Sequence, residues 1–191
     1  MQGRLIYLMG PSGSGKDSVL QAVTVRLEDR ECRVARRVIT RSAEAVGEDA
    51  VAVSREEFDV RLAAGAFAMH WRANGLDYAI TREIDSWLSS GVQVIVNGSR
   101  GYLQEARRRY PSLVPVLLEV APEILRSRLL SRARENIEQI EARLARSALF
   151  ASEESLSAGE QIIRLDNSGS LDATVERLLD IININAHAPL D

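Results

Sequence analysis

The segment that most constrains the fold is GPSGSGKDS, residues 10–18, which stands between two segments of different hydrophobic pattern. The apolar run LIYLM before it predicts a buried strand, and VLQAVTVRL after it predicts a helix over roughly residues 16–30. Between a strand and a helix, such glycines let backbone N–H groups turn toward phosphate oxygens while the helix presents its positive end. The pattern Gly10-x-x-x-x-Gly15-Lys16 therefore predicts a P-loop in which Lys16 reaches the β- and γ-phosphates of a nucleotide.

The composition fits one globular domain and excludes several other classes of protein. The chain has 191 residues, 46% of them hydrophobic and 5% aromatic, which indicates a single layered α/β domain. A formal net charge of −3 does not favour binding to nucleic acid, and no apolar run is long enough to cross a membrane. The single Cys32 excludes an internal disulfide and no leader-like segment precedes the first strand, so we expect a cytoplasmic protein. The sequence leaves its oligomeric state open.

Beyond the loop, predicted strands and helices alternate along the chain. Strands are predicted at residues 32–39, 92–97, 113–120 and 160–167, and a hairpin turn at Asn74-Gly75. Helices are predicted at residues 56–65, about 81–90, 101–110, 122 to about 150, and 171–183. This alternation predicts a three-layer α/β fold with a parallel central sheet, helices on both faces and ligand binding at the carboxyl ends of the strands.

Three further segments resemble the guanylate kinases. GAFAMHWRANGLDYAIT from Gly65 is similar to their substrate-binding segment, Thr40-Arg41 with Gly47-Glu48 to their motif TTRxPRxGE, and RLLSRARENIEQIEARL to their lid. The resemblance extends over nearly the whole chain. It implies a P-loop kinase fold with a core at about residues 1–32, 91–125 and 151–191, a substrate-binding insert at about 33–90 and an arginine-bearing lid at about 126–150.

The resemblance implies that ATP and Mg²⁺ bind at the loop. The implied ATP-binding residues are Gly10, Pro11, Ser12, Gly13, Ser14, Gly15, Lys16, Asp17, Ser18 and, beside the base, Asn167. Asp17 stands where a P-loop usually has a Ser or Thr that ligates Mg²⁺, and the hydroxyl follows at Ser18. Asp17 either orients waters around Mg²⁺ or is an acidic residue that favours the first turn of a helix. Asn97, at the end of a predicted strand, either ligates Mg²⁺ weakly or through water, or caps the strand.

The implied catalytic residues are cationic. The acceptor of a phosphate-to-phosphate transfer is already ionised at pH 7, so such a reaction needs positioning and charge neutralisation rather than a general base. Lys16 supplies one charge, and Arg132 and Arg143 match lid arginines of the family. We add Arg134 as a third lid candidate. The alternative for each arginine is an exposed helix side chain paired with an acid one turn away.

The substrate-binding segment departs from the guanylate kinases at the positions that recognise guanine. Met69 replaces a glutamate and Ile80 a hydroxyl residue, so guanine is a poor candidate for the substrate. Arg41 and Tyr78 match residues that hold the substrate's phosphate, although Glu44 replaces a second arginine of that motif.

Two more residues are candidates for substrate contacts. His70 lies in the same segment and is either a ligand contact or an ordinary imidazole. Arg100, just after the strand at 92–97, is placed to face a sugar phosphate.

Five particular variants are similar to a guanylate-kinase-like family of phosphonate catabolism: GPSGSGKDS, RVITR, HWRANGLDYAI, VIVNGSRGYL and SRARENIEQIEARLARS. That resemblance implies transfer of the γ-phosphoryl group of ATP to the 1-phosphate of ribose 1,5-bisphosphate, forming 5-phosphoribosyl 1-diphosphate and ADP. One alternative is a nucleoside monophosphate kinase of altered base specificity. Another is a non-catalytic interaction module, which the intact loop and lid arginines argue against.

Overall fold

The structure is a computed structural model that describes residues 2–27, 32–41, 49–131, 136–151 and 161–187. Within these ranges the strands are β1 Leu5–Met9, β2 Cys32–Ala35, β3 Arg37–Ile39, β4 Ala50–Ala52, β5 Phe67–Ala73, β6 Leu76–Thr81, β7 Gln93–Asn97, β8 Val114–Glu119 and β9 Ile163–Asp166. The helices are α1 Lys16–Arg26, α2 Arg55–Ala63, α3 Glu83–Ser89, α4 Leu103–Arg109, α5 Pro122–Ser131, α6 Ile137–Ala151 and α7 Leu171–His187, and a 3₁₀ turn lies at Arg100–Tyr102.

The larger sheet is parallel and has β1 at its centre. In the described part of the chain its order is β2-β7-β1-β8-β9. Because alternate side chains of a strand point to opposite faces, Tyr7 packs into one core cluster and Leu8 into the other. Helices α3 and α4 contribute to the first cluster, and α1 and α7 to the second. The predicted three-layer fold is confirmed.

The smaller sheet, of order β4-β3-β6-β5, stands beside the larger one. Its hairpin β5–β6 turns at Asn74 and Gly75, which have φ of 51° and 78°, as a two-residue turn of this sequence requires. The predicted hairpin is confirmed. Met69 and Ile80, which are paired across β5 and β6, are fully buried in the same cluster as Tyr7. One face of the smaller sheet is thus continuous with the core of the larger.

The structure corrects three of the predicted elements. The predicted strand at 32–39 is two strands, because the chain leaves the larger sheet at Arg36 and β3 joins the smaller one. Helix α1 ends at Arg26 rather than near residue 30, since Leu27 already has extended backbone. The helical segment from 122 to about 150 is two helices, α5 and α6, and residues 132–135 lie outside the described ranges. The division into core, insert and lid stays a prediction.

Among the helices that the structure describes, none combines the length and the apolar character that crossing a membrane requires.

Cys32 provides a test of the packing around β2. Its side chain is buried with those of α1, and burial raises the pKa of the thiol to about 12. We expect a disulfide reagent at pH 8 to react with Cys32 of the native protein at least about 10²-fold more slowly than with Cys32 of the chain unfolded in guanidinium. In the native protein the reagent cannot easily reach the buried sulfur, and little of the thiol is ionised at this pH. Equal rates in the two states would contradict this packing.

Candidate active site

The loop after β1 is shaped by glycine where α1 begins. Gly15 precedes the first helical residue with φ of 91°, a conformation that favours glycine. A Cβ at this position would lie 2.7 Å from Nδ2 of Asn167. The local geometry therefore needs the glycine that the motif contains.

Lys16 lies along the loop that it follows. Its Nζ donates hydrogen bonds to the carbonyl oxygens of Gly10, at 2.6 Å, and Pro11, at 3.1 Å. The ammonium group is thereby held at the mouth of the loop, where anionic oxygens of a nucleotide would meet it.

Asn167 supports the loop from behind. Its Nδ2 donates to the Ser14 carbonyl at 2.7 Å, and its Oδ1 accepts from the Thr174 hydroxyl at 2.9 Å. Asn167 is only 3% exposed, so these bonds form in the interior. The structure thus gives Asn167 a contact with the loop itself, while its predicted contact with the base stays a prediction.

A second loop, at the end of β7, is fixed by the buried Tyr7 of β1. The Tyr7 hydroxyl donates to the Ser99 carbonyl at 2.9 Å and accepts from the Ser99 N–H at 3.1 Å. Burial raises the pKa of this phenol, so it remains protonated and able to donate. A Cβ at Gly98 would lie 2.1 Å from the Tyr7 ring, so only glycine lets the backbone pass there. These contacts position Arg100, the next residue after Ser99.

Asp17 and Asn97 lie together near this loop. Nδ2 of Asn97 donates to Oδ1 of Asp17 at 3.2 Å. Asn97 is 3% exposed, and within the described residues its Oδ1 is buried without a hydrogen-bond partner. Buried polar atoms are normally satisfied, so an oxygen in this position fits a cation or a water that a cation holds.

A cleft of about 620 Å³ lies between the loop and the smaller sheet. It brings together most of the predicted site residues: Gly10, Pro11, Ser12, Gly13, Gly15, Lys16, Asp17, Ser18, Tyr78, Arg100 and Arg143. Arg143 reaches it from α6, where its Nη1 donates to Oγ of Ser12 at 3.1 Å. Of the described residues that line the cleft, four are cationic and one is acidic, which suits a ligand with several negative charges.

Other predicted residues lie elsewhere. Met69 is fully buried in the core, and His70 is exposed, since adjacent residues of β5 point to opposite sides. Arg41 lines a separate cavity of about 680 Å³ with Arg55 and Asp77. Ser14 is buried within the loop. Arg132 and Arg134, like the motif residues at 42–48, lie outside the described residues.

The cleft also contains residues that sequence reasoning missed, chiefly Arg37 and Trp71. The Trp71 ring stacks on Tyr78 with centroids 5.7 Å apart and planes 5° from parallel. The sequence pattern gave no signal for Arg37, because Val38 and Ile39 are both apolar and buried and the side of β3 that faces the cleft depends on the sheet that it joins.

The loop, the cationic cleft and the α/β fold together define a P-loop kinase. Ribose 1,5-bisphosphate phosphokinase PhnN of Pseudomonas paraeruginosa is 64% identical to this chain over 181 residues, which are 94% of this chain and 95% of that protein. The protein of the same name from Azotobacter vinelandii is 60% identical over 188 residues, 98% of this chain and 100% of that one. This chain belongs to the ribose 1,5-bisphosphate phosphokinase family. The predicted resemblance is confirmed.

A solved structure supports the fold independently of these relatives. The crystal structure of guanylate kinase from Anaplasma phagocytophilum matches with a TM-score of 0.69 at 19% identity, over 98% of this chain and 88% of that one. No protein-family model matches the chain.

The contact between Asn167 and Ser14 predicts that the loop depends on this side chain. Asn167→Ala removes the donor to a buried carbonyl, so we expect a loss of about 1–3 kcal/mol in the free energy of unfolding. We also expect weaker binding of ADP, measured by calorimetry. Gln93→Met is the control, because it also removes a hydrogen-bonding side chain that is buried, one that accepts from the Arg4 N–H at the end of β7 away from the loop. ADP affinity that falls equally in both variants would contradict a specific role for the Asn167 contact.

Proposed function

We propose that this chain transfers the γ-phosphoryl group of ATP to the 1-phosphate of ribose 1,5-bisphosphate, forming 5-phosphoribosyl 1-diphosphate and ADP. The observation that carries the proposal is 64% identity to a ribose 1,5-bisphosphate phosphokinase over nearly the full length of both chains. The alternatives of a nucleotide kinase with altered base specificity and of a non-catalytic module are not favoured by these relatives.

The residues of the cleft support an acceptor without a base. Met69 and Ile80, the positions that match the guanine contacts of guanylate kinases, are both 0% exposed and pack in the core. They do not line the cleft and offer no hydrogen-bond partner to a base there, and each polar group left unpaired would cost about 1–3 kcal/mol. Phosphate groups, in contrast, can pair with the cationic side chains of Lys16, Arg100 and Arg143, which line the cleft.

In the proposed reaction an oxygen of the 1-phosphate attacks the γ-phosphorus of ATP. The bond from that phosphorus to the β–γ bridging oxygen breaks, and the electron pair leaves with ADP. The attacking oxygen is already anionic, so no proton has to be removed. Lys16 at the loop mouth and Arg143 from α6 are placed to balance charge on the transferred group.

The base of ATP has a candidate pocket beside the cleft. A cavity of about 480 Å³ shares Pro11 and Ser147 with the cleft and has apolar walls that include Leu117 and Leu144. Its dimensions and lining fit an aromatic base whose phosphates reach the loop. Asp166 and Ser168, which flank Asn167, line the same cavity.

Mg²⁺ fits between the P-loop, residues 10–18, and the end of β7. Asp17 and the buried Oδ1 of Asn97 would hold it or its waters, with the remaining ligands from ATP, because Mg²⁺ commonly binds through one or two carboxylates and substrate phosphates. When bound, it neutralises charge on the β- and γ-phosphates.

The test is formation of 5-phosphoribosyl 1-diphosphate from ATP, Mg²⁺ and ribose 1,5-bisphosphate, with GMP as the competing acceptor. We expect product from the sugar phosphate and little turnover of GMP. Lys16→Ala should lower kcat by about 10²- to 10³-fold, because a charge at the transferred group is lost. Arg61→Ala, which removes an exposed arginine paired with Glu57 on α2, is the control. Turnover of GMP alone would overturn the proposal.

A further inference from the structure

Arg37 lines the cleft although it is not among the predicted site residues. On β3 it pairs with Ile80 and shares its face with Ile39, whereas Val38 points into a separate core cluster on the other side of the sheet. Arg37 is half-buried and lines the cleft beside the loop at Gly98 and Ser99. Its guanidinium is therefore placed where an anionic ligand in the cleft would meet a positive charge.

An aromatic stack holds the guanidinium in place. Its Cζ lies 5.1 Å from the centroid of the Tyr78 ring, within the range of a cation–π contact. Tyr78 in turn stacks on Trp71, and the ring centroids of Trp71 and Tyr102 lie 5.7 Å apart. A guanidinium that lies over a ring keeps N–H groups at its edge for a planar or tetrahedral anion.

The other cationic side chains that line the cleft lie on other elements: Lys16 on α1, Arg100 on the 3₁₀ turn and Arg143 on α6. Lys16 and Arg143 are bonded to the loop, at its Gly10 and Ser12. Arg41, the predicted phosphate contact on the same stretch of chain as Arg37, lines the separate cavity with Arg55 instead. On the wall formed by the smaller sheet, the described cationic side chain that faces the cleft is Arg37.

We propose that Arg37, held on the Tyr78–Trp71 stack, binds a phosphate group of the acceptor. This inference rests on the proposed function, since it takes a sugar phosphate as the ligand. The recognising chemistry is a charge-assisted, forked contact between a guanidinium and a phosphate monoester. Ribose 1,5-bisphosphate offers such a group at either end, and the experiment distinguishes the two.

The first measurement compares kinetic constants of Arg37→Ala, Arg37→Lys and a matched control. Arg33→Ala is that control, because the Arg33 guanidinium also lies 5.1 Å from an aromatic centroid, that of Trp87, but is exposed on β2 outside the cleft. We expect Arg37→Ala to raise the KM of ribose 1,5-bisphosphate by about 10- to 100-fold while the KM of ATP stays within about twofold. The KM of ribose 1,5-bisphosphate for Arg37→Lys should lie between those of the wild type and Arg37→Ala, because lysine keeps the positive charge but cannot make the two-pronged guanidinium contact.

The second measurement assigns the phosphate. Ribose 1-phosphate is tested as an acceptor and ribose 5-phosphate as a competitive inhibitor, with wild type and Arg37→Lys. The ligand that binds more weakly to the variant carries the phosphate that Arg37 contacts, and the ligand whose affinity is unchanged lacks it. A selective effect on either ligand therefore supports the proposal.

Three results would overturn it. An acceptor KM in Arg37→Ala equal to that in Arg33→Ala would do so, as would an ATP KM raised as much as the acceptor KM. Equal weakening of both truncated ligands in Arg37→Lys would indicate a structural effect. If Arg37→Ala does not fold, Arg37→Lys and Arg37→Gln decide the question with the same measurements. Failure of the proposed function is a separate result, namely no 5-phosphoribosyl 1-diphosphate from the wild-type protein.

Discussion

The site depends on one hydrogen bond made far along the chain from the loop that it supports. A loop that aims its backbone N–H groups outward toward phosphate must turn some carbonyl groups inward, and a buried carbonyl needs a donor. Asn167 supplies that donor to Ser14 across 153 positions of sequence. Because Asn167 follows β9 and is held by Thr174 of α7, the last strand and helix of the chain are structural parts of the nucleotide site.

The central strand β1 positions both loops of the cleft. Its end leads directly into the P-loop, and its middle residue, Tyr7, fixes the loop after β7 through two hydrogen bonds to Ser99. A tyrosine in an otherwise apolar buried strand is therefore explained by its polar end, which reaches the edge of the sheet where the ligand binds. Since β1 and β7 are hydrogen-bonded neighbours in register, the distance between Lys16 and Arg100 follows from the sheet rather than from flexible segments.

The order of the elements and the loop could be predicted because both depend on local pattern. The glycine spacing, the buried runs and the Asn74-Gly75 turn are signals that few neighbouring residues determine. The split of residues 32–39 into β2 and β3 could not be predicted in this way, because it depends on which sheet each strand joins, and neighbouring residues do not determine that. The same ambiguity concealed Arg37, whereas Arg41 was expected as a phosphate contact from the resemblance to the guanylate kinases. The inward position of Met69 and the outward position of His70, in contrast, follow from simple alternation along β5.

The acceptor specificity that we propose depends in part on two apolar residues, Met69 and Ile80, at the positions where guanylate kinases have polar side chains. Met69 and Ile80 face each other across a hairpin and are fully buried, so they close the core between the two sheets as apolar side chains. A glutamate at position 69 would need a base or another donor in every state of the enzyme, since a buried carboxylate without one is strongly unfavourable. An acceptor recognised through phosphate makes no such demand on the core. In the proposed reaction its contacts would come from cationic side chains that line the cleft, so Met69 and Ile80 can pack between the two sheets as apolar side chains.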